Sequence, residues 1–168
     1  QYIHVSATAD GSNGQVDAAA VKASYSSHNT ITSYGQDAQG RGILIEAEAD
    51  STASGYADGA TGVLAAGQSS NSLKSNHDVE IYTRSNGGSS GVRAASGGTN
   101  TIENLTVGQA INVDIWAGLD HRIDAPSAIR GDNGFGMGAE TGGTNTVGSA
   151  QDRVDTVNIH AGGENTAG

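Results

Sequence analysis

Apolar and polar residues alternate with a period of two in five segments that align without gaps. They are Ile3-His4-Val5-Ser6-Ala7, Ile43-Leu44-Ile45-Glu46-Ala47, Val79-Glu80-Ile81-Tyr82-Thr83, Val113-Asp114-Ile115-Trp116-Ala117 and Val157-Asn158-Ile159-His160-Ala161. This period sends alternate side chains to opposite faces and predicts a strand with one buried side. Two further short strands follow each copy. The first is read at Ala20-Val21-Lys22-Ala23, Gly62-Val63-Leu64-Ala65, Gly91-Val92-Arg93-Ala94 and Ala128-Ile129-Arg130-Gly131. After a turn rich in Gly or Ser, the second begins at Asn29, Asn71, Asn100 and Asn145. Val21 to Asn29, Val63 to Asn71 and Val92 to Asn100 are each eight positions apart, whereas Ile129 to Asn145 is sixteen. That difference predicts eight extra residues in the fourth copy, in a loop from Asp132 to Thr144.

An internal repeat of this kind decides the architecture. One unit cannot bury its own apolar edge, and stacked neighbours can. The expected fold is therefore all-β: a parallel β-helix solenoid with three strands per coil and about four coils, a single domain over residues 1–168. Its repeat units run approximately over 2–42, 43–78, 79–112, 113–156 and a partial 157–168. Three interior files are predicted: Val5, Ile45, Ile81, Ile115 and Ile159; Val21, Val63, Val92 and Ile129; and Ile31, Leu73, Ile102 and Val147. Asn29, Asn71, Asn100 and Asn145 share one corner. There their amides are expected to hydrogen-bond along the stack and to tolerate left-handed backbone, aided by the pairs Gly97-Gly98 and Gly142-Gly143. Helix propensity competes only at Asp17–Ala23, where three successive Ala residues favour a helix in isolation.

Composition narrows this further. With 26 Gly, one Pro, no Cys and only 4% aromatic residues, a round core is hard to fill, but a thin one of Val, Ile, Leu and Ala is not. A net charge of -10 disfavours nucleic-acid binding and docking on anionic lipid. No apolar run is long enough to span a bilayer. The chain opens inside a first-strand segment and closes soon after another, with no polar cap in view. Unpaired backbone edges at both ends predict self-association end to end.

The Gly-Val-x-Ala, Gly-Gly-Thr-Asn-Thr-Ile and Val-x-Ile-x-Ala segments resemble those of bacterial autotransporter adhesin passengers and filamentous-haemagglutinin-like exoproteins, and the resemblance covers nearly the whole chain. It implies a right-handed parallel β-helix, a location outside the cell or on the bacterial outer surface, and a role in adhesion or aggregation.

No catalytic cluster, cofactor or metal site is expected, since the five His show no metal-ligand spacing. Outward on the first strands stand Ser6, Glu46, Tyr82, Trp116 and His160, the last three forming a candidate platform for a host or matrix glycan. Glu46, Glu80 and Asp114 form an acidic stripe, and Lys22, Leu64, Arg93 and Arg130 an outward column on the second strands. These stripes would serve the enzymatic alternative, a polysaccharide lyase or hydrolase. Arg130-Gly131-Asp132 is an integrin-type tripeptide and a candidate receptor motif. Regular Thr-x-Thr ladders of the ice-binding kind are absent from the sequence.

Overall fold

The structure is a computed structural model and describes residues 1–12, 14–51, 59–85, 88–118, 133–148 and 154–161. All thirteen strands pair in parallel, in three sheets. Sheet one holds β1 (Ile3–Gly11), β4 (Arg41–Ser51), β7 (Asp78–Ser85), β10 (Ile111–Ala117) and β13 (Val154–Ala161). Sheet two holds β2 (Asp17–Ser24), β5 (Gly59–Ala66), β8 (Gly88–Ala95) and β11 (Asn133–Glu140). Sheet three holds β3 (His28–Ser33), β6 (Ser70–Ser75), β9 (Thr99–Asn104) and β12 (Thr144–Val147). Strands three apart in sequence lie side by side, so each turn of the chain adds one rung to every sheet: a parallel β-helix of about four coils. The segment Asp17–Ala23 is strand, because ladder bonds to β5 outweigh the helix propensity of its alanines.

The first and third interior files form as expected. Val5, Ile45, Ile81, Ile115 and Ile159 are register partners in turn, as are Ile31, Leu73, Ile102 and Val147. In the middle coils these side chains are at most 1% exposed, and burial of each contributes roughly 1.5–3 kcal/mol. The second file needs a correction. Its fourth member is Met137, paired with Val92, whereas Ile129 lies outside the described residues. Met137 to Asn145 restores the spacing of eight, so the extra residues precede β11 rather than follow it. The segment Gly134-Phe135-Gly136-Met137-Gly138 lacks β-branched residues and reads as loop. Two neighbouring ladders make it a strand.

The corner between the second and third strands also differs in detail. Two consecutive residues there take positive φ in every coil: Tyr25 and Ser26, Gly67 and Gln68, Ser96 and Gly97, Thr141 and Gly142. None of the four Asn does; they lie in extended strand, and their contribution is made by the side chain. Within the glycine pairs only the first residue supplies the left-handed backbone. A Cβ on Gly98 would lie 2.2 Å from the Ala65 carbonyl oxygen, so the second is required by close approach.

Candidate functional site

Parallel stacking in register turns each outward position into a column, and each sheet therefore presents one kind of surface. On sheet one, Ser6, Glu46, Tyr82, Trp116 and His160 are vertical neighbours, as expected. Tyr82 and Trp116 stack with ring centroids 6.1 Å apart, and Trp116 and His160 at 3.8 Å with planes 12° apart. The rings are thus turned towards one another along the column. His160 covers one face of Trp116, and the edges point outward.

The acidic stripe lies beside this column. Leu44, Glu80, Asp114 and Asn158 are register partners. The Arg41 guanidinium joins Asp37 at 2.7 Å and Glu80 at 3.0 Å, and the Tyr82 hydroxyl donates to Glu80. Burial, with the Glu80 charge behind it, pushes the Tyr82 hydroxyl up. His4 reaches Glu46 at 2.6 Å, and the Asn158 amide donates to Asp114 at 2.6 Å. Glu80 and Asp114 thus each have a hydrogen-bonding partner within the sheet.

Burial would raise the Asp37 carboxyl. Backbone N–H bonds from Arg41 and Gln39 and the Arg41 guanidinium outweigh it and hold this carboxyl below the usual range. A depressed carboxylate pKa means stability present above the unfolded-state value and lost as pH falls through the folded one. The melting temperature is therefore expected to hold steady on acidification to about pH 5 and then to fall below about pH 4. Asp37→Asn should lower the melting temperature at neutral pH and flatten that acid limb. Parallel scans of the two proteins between neutral and acidic pH check it.

On sheet two the outward column is Lys22, Leu64, Arg93 and Gly138; Gly138 stands where Arg130 was expected. Both nitrogens of the Arg93 fork donate to Glu140, each at 3.1 Å. Small residues at Gly59, Gly88 and Ser90 leave a trough of about 1060 Å³ across all four strands, with Phe135 at its β11 end. Arg130, Gly131 and Asp132 lie outside the described residues.

Sheet three carries a surface that sequence reading missed. Its outward residues form one column of His28, Ser70, Thr99 and Thr144 and another of Thr30, Ser72, Thr101 and Thr146. Two of its four rungs, on β9 and β12, are Thr-x-Thr; β6 has Ser-x-Ser and β3 has His-x-Thr. Its signal was present in the residues flanking the four corner Asn, once those were aligned. Behind it runs an amide chain. Asn29 donates to Asn71, Asn71 to Asn100 and Asn100 to Asn145, at 3.0, 2.8 and 2.9 Å. Each of these amides also donates to a backbone carbonyl seven residues earlier, those of Lys22, Leu64, Arg93 and Gly138.

Comparison with family models, with curated proteins and with solved structures gives no match.

Proposed function

We propose that this chain is a structural and adhesive solenoid of a bacterial surface or secreted protein, acting outside the cell in adhesion or aggregation. One observation carries the reading: the outward side chains repeat in columns along three long faces instead of converging on a point. Catalysis needs convergence of a nucleophile, an acid or base and a stabilising group. Adhesion needs area and repetition, since many weak contacts on one rigid body add up to avidity. The resemblance of the repeat to autotransporter passengers points the same way.

End-to-end stacking into extracellular fibres belongs to the same proposal. Among the described residues, β1, β2 and β3 are the outermost strands at one end of the stack, and β11, β12 and β13 at the other, and strand edges of this kind can pair with a second copy. Among the described strands sheet one holds one more than either of the other two, and a second copy would stack on β13. Pairing of its β1 with β13 would carry the isoleucine file across the junction.

Beads coated with the protein, mixed with bacterial and host cells, test adhesion, and electron microscopy over a concentration series tests stacking. Clumping or cell attachment that saturates with coating density is expected. Bare beads and coated beads behaving alike, with a monodisperse monomer at high concentration, would remove the proposal.

A glycan is the partner that the chemistry of sheet two favours as the adhesive target. The trough on sheet two is open along the stack, with Phe135 for the apolar face of a sugar and the Lys22 ammonium, which has no ion-pair partner among the described residues, for an acidic group. A glycan array with Phe135→Ala, Lys22→Ala and Trp116→Ala variants locates the contact. Binding lost in the first two and kept in the third assigns it to the trough.

A further inference from the structure

Sheet three presents a face that carries no net charge and is regular in register, with a hydrogen bond within its hydroxyl columns between the His28 ring and the Ser70 hydroxyl at 2.8 Å. Its pairings run from His28 to Ser33 and through the following rungs without a register shift, whereas sheet one is interrupted at Arg41 and at Ile111. In a chain of net charge -10, the one pair of charges on this face, Lys74 and Glu103, closes on itself at 3.2 Å at its margin. The Thr30, Ser72, Thr101 and Thr146 hydroxyls make no hydrogen bond to any described residue; Thr30 and Thr146 are exposed and Ser72 and Thr101 half-buried.

The repeat of this face is fixed in both directions. Rungs follow one another at roughly 4.8 Å, and alternate residues along a strand lie roughly 6.6 Å apart. The amide chain behind the face bonds each rung to the next and to the strand before the corner, so the spacing is set by the protein and not by its ligand. Unpartnered hydroxyls will hydrogen-bond water in any setting. A rigid two-dimensional lattice of them, with threonine methyl groups between, holds that water in a repeat close to the oxygen repeats on the prism face of ice. Preorganisation of this kind removes the ordering cost that a flexible polar surface incurs on binding.

We propose that the hydroxyl face of sheet three binds ice. This function is separate from adhesion and depends on a different face. A polysaccharide crystal is the rival ligand, but flat recognition of sugar rings uses aromatic faces. Among the described outward residues of sheet three only His28 carries a ring, at the end rung.

The test is ice-affinity partition of the 168-residue protein, read with the gap between freezing and melting points and the shape of the seed crystal. Enrichment in the ice fraction over serum albumin, with faceted crystals, is expected. Thr101→Tyr, an outward substitution that circular dichroism should show to be folded, is expected to bring enrichment down to the albumin level. Thr61→Tyr, outward on sheet two, should leave it unchanged. Exclusion of the wild-type protein from ice would overturn the proposal, as would equal enrichment of wild type and Thr101→Tyr. Retention on microcrystalline cellulose or chitin, lost in Thr101→Tyr while ice excludes the wild type, would overturn it in favour of a polysaccharide.

Discussion

Gly91→Val is expected to unfold the chain at temperatures where the wild type is fully native. Gly91 sits one residue before the second file, where two successive residues of the strand point inward and the backbone of sheet two approaches sheet one. A Cβ built there lies 2.2 Å from the Ile115 methyl and 2.7 Å from the Gly136 carbonyl oxygen. The first of these neighbours belongs to a fully buried isoleucine and the second to backbone, so neither has room to yield. Gly62 and Gly136 repeat the arrangement against Ile81 and Ile159. The first coil has Ala20 at this place, partly buried and packed against the core, and nothing in the structure explains why a methyl is accommodated there.

Overpacking by a methyl costs about 1–3 kcal/mol, and a branched side chain against backbone costs more. Domains are stable by only about 5–15 kcal/mol, so Gly91→Val removes a large part of the whole. Urea unfolding followed through Trp116, the only Trp of the chain, gives the measurement. Gly91→Ala should lie between wild type and Gly91→Val. A Gly91→Val protein with an unchanged midpoint would mean that the two sheets can separate at no cost, contrary to the close approach seen at all three glycines.

That glycine column shows why some of the fold was legible in the chain and some was not. The isoleucine files could be read because burial of alternate residues leaves a period-two pattern in one strand, and five copies repeat it. The glycines were visible as part of Gly-Val-x-Ala, but their reason is the isoleucine of the next coil, and no pattern within one strand expresses that. The strand at Asn133–Glu140 was misplaced for a related reason. Ile129 has the propensity of a strand residue and Met137 does not, yet ladder bonds from β8 select the segment that keeps the correct distance to Asn145. Spacing from the corner was the stronger signal, and propensity the weaker one.

The outward faces were legible column by column only where one residue type was conspicuous. Tyr82, Trp116 and His160 stand out by size, and the structure stacks them. The hydroxyl columns do not stand out, because Ser, Thr and His alternate in them and each is ordinary in a polar loop. What ties them together is the Asn between each outward pair, bonded to the Asn of the next rung.

Removal of one amide from that column is the second large expected effect. Asn100 is 1% exposed and takes part in three hydrogen bonds. Its Nδ2 donates to the Arg93 carbonyl at 2.8 Å and to Asn145 Oδ1 at 2.9 Å, and its Oδ1 accepts from Asn71 at 2.8 Å. Asn100→Ala removes all three and leaves a donor and two acceptors without these bonds inside the corner. Each buried group left so costs about 1–3 kcal/mol, and partial relaxation brings the expected total to about 3 kcal/mol. Asn100→Asp keeps the acceptor but turns both donor contacts into oxygen against oxygen and places a charge in the column. At neutral pH it should therefore destabilise more than alanine despite its matching shape. The cost should also follow position. Asn71 and Asn100 are held from both sides and buried, whereas Asn29 and Asn145 end the chain of amides and are only half-buried. Alanine at either inner position is thus expected to lower the unfolding midpoint by about twice as much as at either outer one, on roughly twice the number of broken amide–amide bonds. Four single variants and Asn100→Asp, unfolded in urea under one buffer, decide it. Equal losses at all four positions, or an Asp variant more stable than the Ala variant, would show that the corner is held by shape and not by the directional amide chain.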